Sequence, residues 1–267
     1  MLMPIVAFLF GLFIGSFLNV CIYRLPRNRS VVQPRSYCPR CRHSIAWYDN
    51  IPLLSYALLG GHCRHCGQQI SWRYPAVELL TGGLFFAALR LEGPEPEAVR
   101  LCVFAALLTG LAFTDLTRRI LPDELTLGGV AAGIALAAWV PMRHGLVGVL
   151  LGGSFSPRFA SVAESVAGAL FTAGLLWAVG WLYQKIRKRE GLGLGDVKMI
   201  AMIGAFLGIY QTLIALMLGS LLGAVIGSAY IYLAKKDPAR FPLPYGTFLA
   251  AGALAYVYLG RLIFPPL

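Results

Sequence analysis

Gly191-Leu192-Gly193-Leu194-Gly195-Asp196-Val197-Lys198 sets a carboxylate at the mouth of an apolar segment, behind three glycines at alternate positions. Glycine has no Cβ, so other backbone or a ligand can approach closely there. An acid where an apolar segment begins is either a helix cap or a reactive group. A second stretch bears on that choice: Phe113-Thr114-Asp115-Leu116-Thr117-Arg118-Arg119-Ile120-Leu121-Pro122-Asp123 carries another acid from an apolar segment into a basic loop. Two acids at one membrane face, on different segments, can hold one water between them. Like charges at close range cannot both ionise, so one acid keeps its proton while the other activates the water. Read alone, Asp115 is equally an interfacial charge paired with Arg118 or Arg119.

The flanking segments decide the fold class. Of the 267 residues 58% are apolar and only 13% charged, where a soluble domain carries roughly a quarter charged residues. Mean hydropathy is +0.69. The chain reads as an all-α polytopic membrane protein. Its net charge of +11 does not point to nucleic acid, because the basic residues fall in loops between apolar segments rather than along one face.

The first apolar stretch has no basic region before it and no small-residue cleavage site after it, so residues 1–23 read as a retained first helix rather than a signal peptide. Asn19 within it is expected to face other helices rather than lipid. Further spans are expected over 77–91, 99–114, 125–140 and 161–183. The run 197–233 is too long for one span at about 1.5 Å per residue and splits around 208–211. A last span over 243–264 brings the expected total to about eight. Residues 142–159 form a loop whose apolar part, 146–151, is expected in the interface. Placing residues 24–74 in the cytoplasm puts Asp115, the loop 185–198 and the stretch 235–240 on the same side. Those four regions hold 18 of the 23 Lys and Arg, against Arg90, Arg100, Arg143, Arg158 and Arg261 elsewhere, which follows the positive-inside rule.

Residues 24–74 are Arg-rich and carry Cys38-Pro39-Arg40-Cys41 and Cys63-Arg64-His65-Cys66, two CxxC units 21 residues apart. Four thiolates converging on one ion suit tetrahedral zinc, which would fold a module too small to stabilise itself. A redox dithiol or a cluster is the other reading. His43, His62 and His65 read as solvated or supporting residues, and Cys21 and Cys102 as small packing residues. Asp123 reads as the N-cap of the span that follows it. Lys198 either pairs with a carboxylate or reaches to the interface. Glu78, near the start of a span, complements a helix dipole or contacts a ligand at the cytoplasmic face. Gly219, Gly223 and Gly227 recur every four residues and read as a packing ridge.

Taken in order, Gly15-Ser16-Phe17-Leu18-Asn19-Val20, Tyr23-Arg24-Leu25-Pro26, both CxxC units, Trp47-Tyr48-Asp49-Asn50-Ile51-Pro52-Leu53-Leu54-Ser55-Tyr56, Ile70-Ser71-Trp72-Arg73-Tyr74-Pro75-Ala76-Val77-Glu78, Asp115 with Leu121-Pro122-Asp123, and Gly193-Leu194-Gly195-Asp196-Val197-Lys198 resemble the type IV prepilin leader peptidase/N-methyltransferase family, bacterial members of the GxGD aspartic proteases. The resemblance covers nearly the whole chain. It implies a bifunctional enzyme of the bacterial inner membrane that removes the basic leader of type IV prepilins or type II secretion pseudopilins at the cytoplasmic face. It would then methylate the new N-terminal residue, usually Phe, with S-adenosylmethionine. Asp115 and Asp196 match the two catalytic aspartates, and Gly61 and Glu78, which match positions in the family's module and the span that follows, are the candidates for binding the methyl donor. The implied domains are a first helix (1–23), a methyltransferase-associated zinc module (24–74) and a transmembrane peptidase (75–267). No Rossmann-type fingerprint for S-adenosylmethionine is present, and the interval between the aspartates is long for the family. The competing readings are an ion-coupled transporter, which would place its acids near mid-bilayer on broken helices, and a noncatalytic secretion scaffold.

Overall fold

The computed structural model describes residues 2–142, 145–150, 155–189, 191–235 and 243–263. Ten α-helices are found among them: α1 (Leu2–Arg24), α2 (Leu54–Leu58), α3 (Arg73–Glu92), α4 (Pro96–Arg118), α5 (Asp123–Trp139), α6 (Leu146–Leu150), α7 (Pro157–Arg187), α8 (Leu194–Leu207), α9 (Ile209–Leu233) and α10 (Tyr245–Ile263). No strand occurs among the described residues, only the isolated bridges Tyr37–Ser44 and His62–Gln69. The protein is all-α, as its composition predicts. Each of the eight expected apolar segments coincides with one helix, and α1, α3, α4, α7 and α9 are long and apolar enough to cross a membrane. Arg143 and residues 151–154 of the expected loop, most of the basic stretch 235–240 and Phe264 lie outside the described residues.

The chain divides into two units, Met1–Phe113 and Thr114–Leu267. In the first, α1 lies directly on α3. A Cβ added at Gly11 would stand 2.8 Å from the Gly82 Cα, and one at Gly15 would stand 2.6 Å from the Glu78 Cα. Only glycine permits helices this close. Leu18, Ile22 and Val77 fill the seam, with Phe113 packed against them. Asn19 is buried there as expected, and its Nδ2 donates to the Tyr74 carbonyl at 3.0 Å. Arg24, also buried, ends α1 by donating to the carbonyls of Ser30 and Arg35, which ties down the chain entering the cysteine module.

In the second unit the same device recurs. Gly168 of α7 and Gly204 of α8 meet backbone to backbone, and α8 is buried almost throughout from Met199 to Phe206. Gly219, Gly223 and Gly227 form the expected ridge, facing Phe248, Leu249 and Leu243. The long apolar run does split at Gly208, whose φ of +82° suits glycine. The break is capped from another helix: the buried Glu164 of α7 accepts from the Ile209 N–H through Oε1 (2.9 Å) and from the Val147 N–H through Oε2 (2.7 Å). Helix α7 starts at Pro157, earlier than read from the sequence. Ser156 accepts from the Phe159 N–H and proline occupies the first turn, a favourable helix start.

Candidate active site

Asp115 and Asp196 both belong to the second unit. Asp115 occupies the last turn of α4 and is 5% exposed. Asp196 is the third residue of α8, whose N-cap is Gly193. Its carboxylate accepts from the Gly193 backbone, and it lies within electrostatic reach of Asp115. An acid at the third helical position reaching back to the N-cap amide is the second half of a capping box. Cap and reactive group are therefore not alternatives here, because one carboxylate can serve both.

Neither Arg118 nor Arg119 forms the chief contact of Asp115. Its Oδ2 accepts two hydrogen bonds from Thr247 at the start of α10, one from the backbone N–H (2.7 Å) and one from Oγ1 (3.0 Å). The neighbouring Tyr245 senses the charge of Asp196, and its hydroxyl sits 2.9 Å from Ser220 Oγ on α9. The sequence reading missed Tyr245 and Thr247. The available signal was a hydroxyl pair beside a glycine, Tyr245-Gly246-Thr247, opening an apolar helix at the same face as both acids.

Asp123 is not the N-cap it was expected to be. Pro122 holds that position without a side-chain cap, and Asp123 is the first helical residue. Its carboxylate instead takes both contacts of Lys198 Nζ, at 2.7 and 2.9 Å. A cation two residues beyond Asp196 offers more to a paired carboxylate than a lone amide does, and Asp123 still complements the dipole of α5 from its first turn.

In the first unit the four sulfurs of Cys38, Cys41, Cys63 and Cys66 lie within 4.8 Å of one another. Cys38 and Cys66 are 3.8 Å apart, and a tetrahedron of Zn–S bonds of about 2.3 Å has edges of about 3.8 Å. The donor set fits a structural zinc ion. The two halves are built alike. The Cys38 N–H donates to the His43 carbonyl and the Arg42 N–H to Cys38, just as the Cys63 N–H donates to Gln68 and the Gly67 N–H to Cys63. Arg42 and Gly67 both have positive φ, and a β-bridge closes each turn. The backbone N–H groups of Cys66 and His65 hold the Cys63 thiol down at about 7, ready to ligate as thiolate. Arg64, inside the second turn, grips Asp49 through Nε (2.8 Å) and Nη2 (2.6 Å), fixing the 3₁₀ turn Trp47–Asn50.

A cavity of about 620 Å³ is lined by residues of this module together with residues of α1 and α3, Glu78 among them. Glu78 is 7% exposed and accepts from the Leu53 N–H at 2.9 Å and from the Ser16 hydroxyl. Gly61 does not line the cavity. It sits behind Tyr56, which does; a Cβ at Gly61 would stand 3.1 Å from the Tyr56 ring.

Two family models match the chain. One, described as the Bacterial Peptidase A24 N-terminal domain, covers residues 9–91, and the other, the Type IV leader peptidase family, covers 102–228. Curated relatives bear the name prepilin leader peptidase/N-methyltransferase. That of Myxococcus xanthus is 45% identical over 229 residues, spanning 85% of this chain and 62% of the relative. That of Burkholderia pseudomallei is 34% identical over 281 residues, with 95% and 84% covered. That of Aeromonas hydrophila is 38% identical over 276 residues, with 94% and 89% covered. No solved structure gives a significant match. With acids, cysteine module and relatives in agreement, the chain belongs to the type IV leader peptidase family.

Proposed function

We propose that this chain cleaves the basic leader from type IV prepilins or type II secretion pseudopilins with Asp115 and Asp196, and then methylates the exposed N-terminus. One observation carries the peptidase reading: two acids from different helices, Asp115 and Asp196, lie within electrostatic reach at a helix end and a helix start. A carboxyl pair sharing one proton can activate water with the ionised member and protonate the carbonyl oxygen with the other, the roles exchanging before the amine leaves. Thr247 occupies Oδ2 of Asp115 with two donors, so proton transfer at Asp115 falls to Oδ1. Gly193 and Leu194, just before Asp196, are exposed, which leaves room for an extended peptide along the motif.

On this reading the eight longer helices span the inner membrane, with the acids and the cysteine module toward the cytoplasm, where water and the basic leader are both at hand. Residues 1–23 are the first helix, 24–74 the methyltransferase-associated module and 75–267 the peptidase; lipid and pilin precursors are the partners, not nucleic acid. Zinc, held by Cys38, Cys41, Cys63 and Cys66, folds the module and takes no part in the chemistry. S-adenosylmethionine supplies the methyl group when bound. Glu78 fits such a cationic ligand, because it is a buried carboxylate with no Lys or Arg paired to it among the described residues. Gly61 acts one step back, by giving Tyr56 its place in the cavity wall.

The test is cleavage of a synthetic prepilin in detergent by the wild type, Asp115→Asn and Asp196→Asn. Each substitution keeps shape and removes acid–base chemistry, so each abolishes cleavage. Normal rates in both would sink the peptidase reading and revive the transporter and the scaffold.

A further inference from the structure

A residue in the wall of the cavity beside the cysteine cluster carries a buried polar atom with an unmet need. Asn19 of α1 is 2% exposed and forms part of the cavity wall. Its Nδ2 donates to the Tyr74 carbonyl, which fixes the orientation of the amide. Oδ1 is thereby left buried with no hydrogen-bond partner. A buried acceptor without a donor is destabilising, so a bound donor relieves it. Glu78 lines the same cavity and supplies a buried carboxylate that accepts from the Leu53 N–H and the Ser16 hydroxyl. The cations in the wall are already engaged: Arg24 with the carbonyls of Ser30 and Arg35, Arg64 with Asp49, and Arg40 with Gln68. An anionic ligand therefore finds little to bind, whereas an ammonium finds both an amide oxygen and a carboxylate. The phenol rings of Tyr23, Tyr56 and Tyr74 line the wall as well, and aromatic faces suit a purine or a sulfonium. A volume of about 620 Å³ is ample for a ligand of that size.

Resting on the methyltransferase reading, we propose that this cavity is the S-adenosylmethionine site and that Asn19 Oδ1, with Glu78, receives the ammonium of its methionine moiety. Asn19 is thus a ligand-binding residue, although it belongs to a helix that reads from sequence as a membrane span. The site lies wholly within the first unit, and Asp115 and Asp196 take no part in it.

The experiment uses the full chain in detergent and measures S-adenosylmethionine binding by calorimetry. Asn19→Leu keeps size and removes the acceptor, weakening binding roughly 10- to 100-fold. The same change leaves the affinity for 5′-methylthioadenosine, which has no ammonium, as in the wild type. Gln69→Trp, at an exposed position of the cavity wall, abolishes binding by obstruction. Prepilin cleavage by the same samples reports that they are folded, and if Asn19→Leu fails that control, Gln69→Trp decides. Wild-type affinity in both variants overturns the site, and loss in Gln69→Trp alone overturns the role of Asn19. A wild type that binds no S-adenosylmethionine overturns the methyltransferase reading itself, and the site with it.

Discussion

Thr247→Val is the sharpest probe of how Asp115 is held. Valine keeps the branched shape and the backbone N–H at 2.7 Å, but deletes the hydroxyl that donates to Asp115 Oδ2 at 3.0 Å. A hydrogen bond to an ionised group is worth about 1.5–3 kcal/mol. If that bond aims Asp115 in the transition state, kcat falls roughly 10- to 150-fold at about 1.4 kcal/mol per decade. KM stays near the wild-type value, because Thr247 acts on the carboxylate rather than on the peptide. Thr247→Ser retains the donor and most of the rate. The assay is steady-state cleavage of a synthetic prepilin, with kcat and KM separated and a melting curve to show that each variant is folded. A Thr247→Val enzyme with unchanged kcat would refute the reasoning, as would a loss confined to KM or a Thr247→Ser variant as slow as Thr247→Val.

Three other perturbations separate the parts of the molecule. Lys198→Met breaks the pair with Asp123, but both side chains are well exposed, so stability drops by less than about 1 kcal/mol; a larger shift in melting would show that the pair supports the start of α8. Cys41→Ser removes a ligand from the cluster, and metal analysis of the purified chain should find zinc in the wild type and essentially none in the variant; full retention would exclude four-cysteine ligation. Gly61→Ala puts a Cβ at φ +72° and 3.1 Å from the Tyr56 ring, a strain of about 1–2 kcal/mol that displaces Tyr56 toward the cavity. Methylation is then lost while leader cleavage continues, and equal loss of both activities would show instead that Gly61 only holds the fold.

The parts of this fold written as local patterns were legible in the sequence. Hydropathy located every long helix, the glycine at 208 marked the break between α8 and α9, and the spacing of Cys38, Cys41, Cys63 and Cys66 anticipated a cluster that three-dimensional distances bear out. Long-range satisfaction of polar groups was not legible. Thr247 reaches Asp115 across 132 residues and Glu164 caps Ile209 across 45. No periodicity encodes such pairings, which exist only once the helices have packed. The fate of Asp123 failed for the same reason: its local context suggests a cap, while its partner, Lys198, lies 75 residues away. Asn19 is a mixed case. Its burial could be read from an amide within an apolar helix, but its divided state, one half bonded and one half not, could not.

The last glycine of the motif is explained by what stands opposite it. A Cβ at Gly195 would lie 3.2 Å from the Cβ and 3.3 Å from the Cδ1 of Leu121, and one at Gly246 would lie 3.1 Å from both Cδ atoms of Leu121 and 3.2 Å from Asp115 Oδ2. Leu121 follows Asp115 in its own loop, Gly195 precedes Asp196, and Gly246 precedes Thr247. One leucine is therefore wedged between two glycines, and the wedge sets the separation of the three segments that carry the two acids and the donor to one of them. Gly195→Ala should force these segments apart by a few tenths of an ångström, enough to slow cleavage well beyond its small effect on melting. Leu121→Gly removes the whole side chain, including the Cβ that stands nearest Gly195, opening space at the cost of a cavity. In the double variant the new methyl group occupies part of that space, so cleavage recovers relative to Gly195→Ala. Strictly additive losses across this cycle would show that Gly195 serves the peptide rather than the wedge, since residues that share a contact couple and independent ones do not.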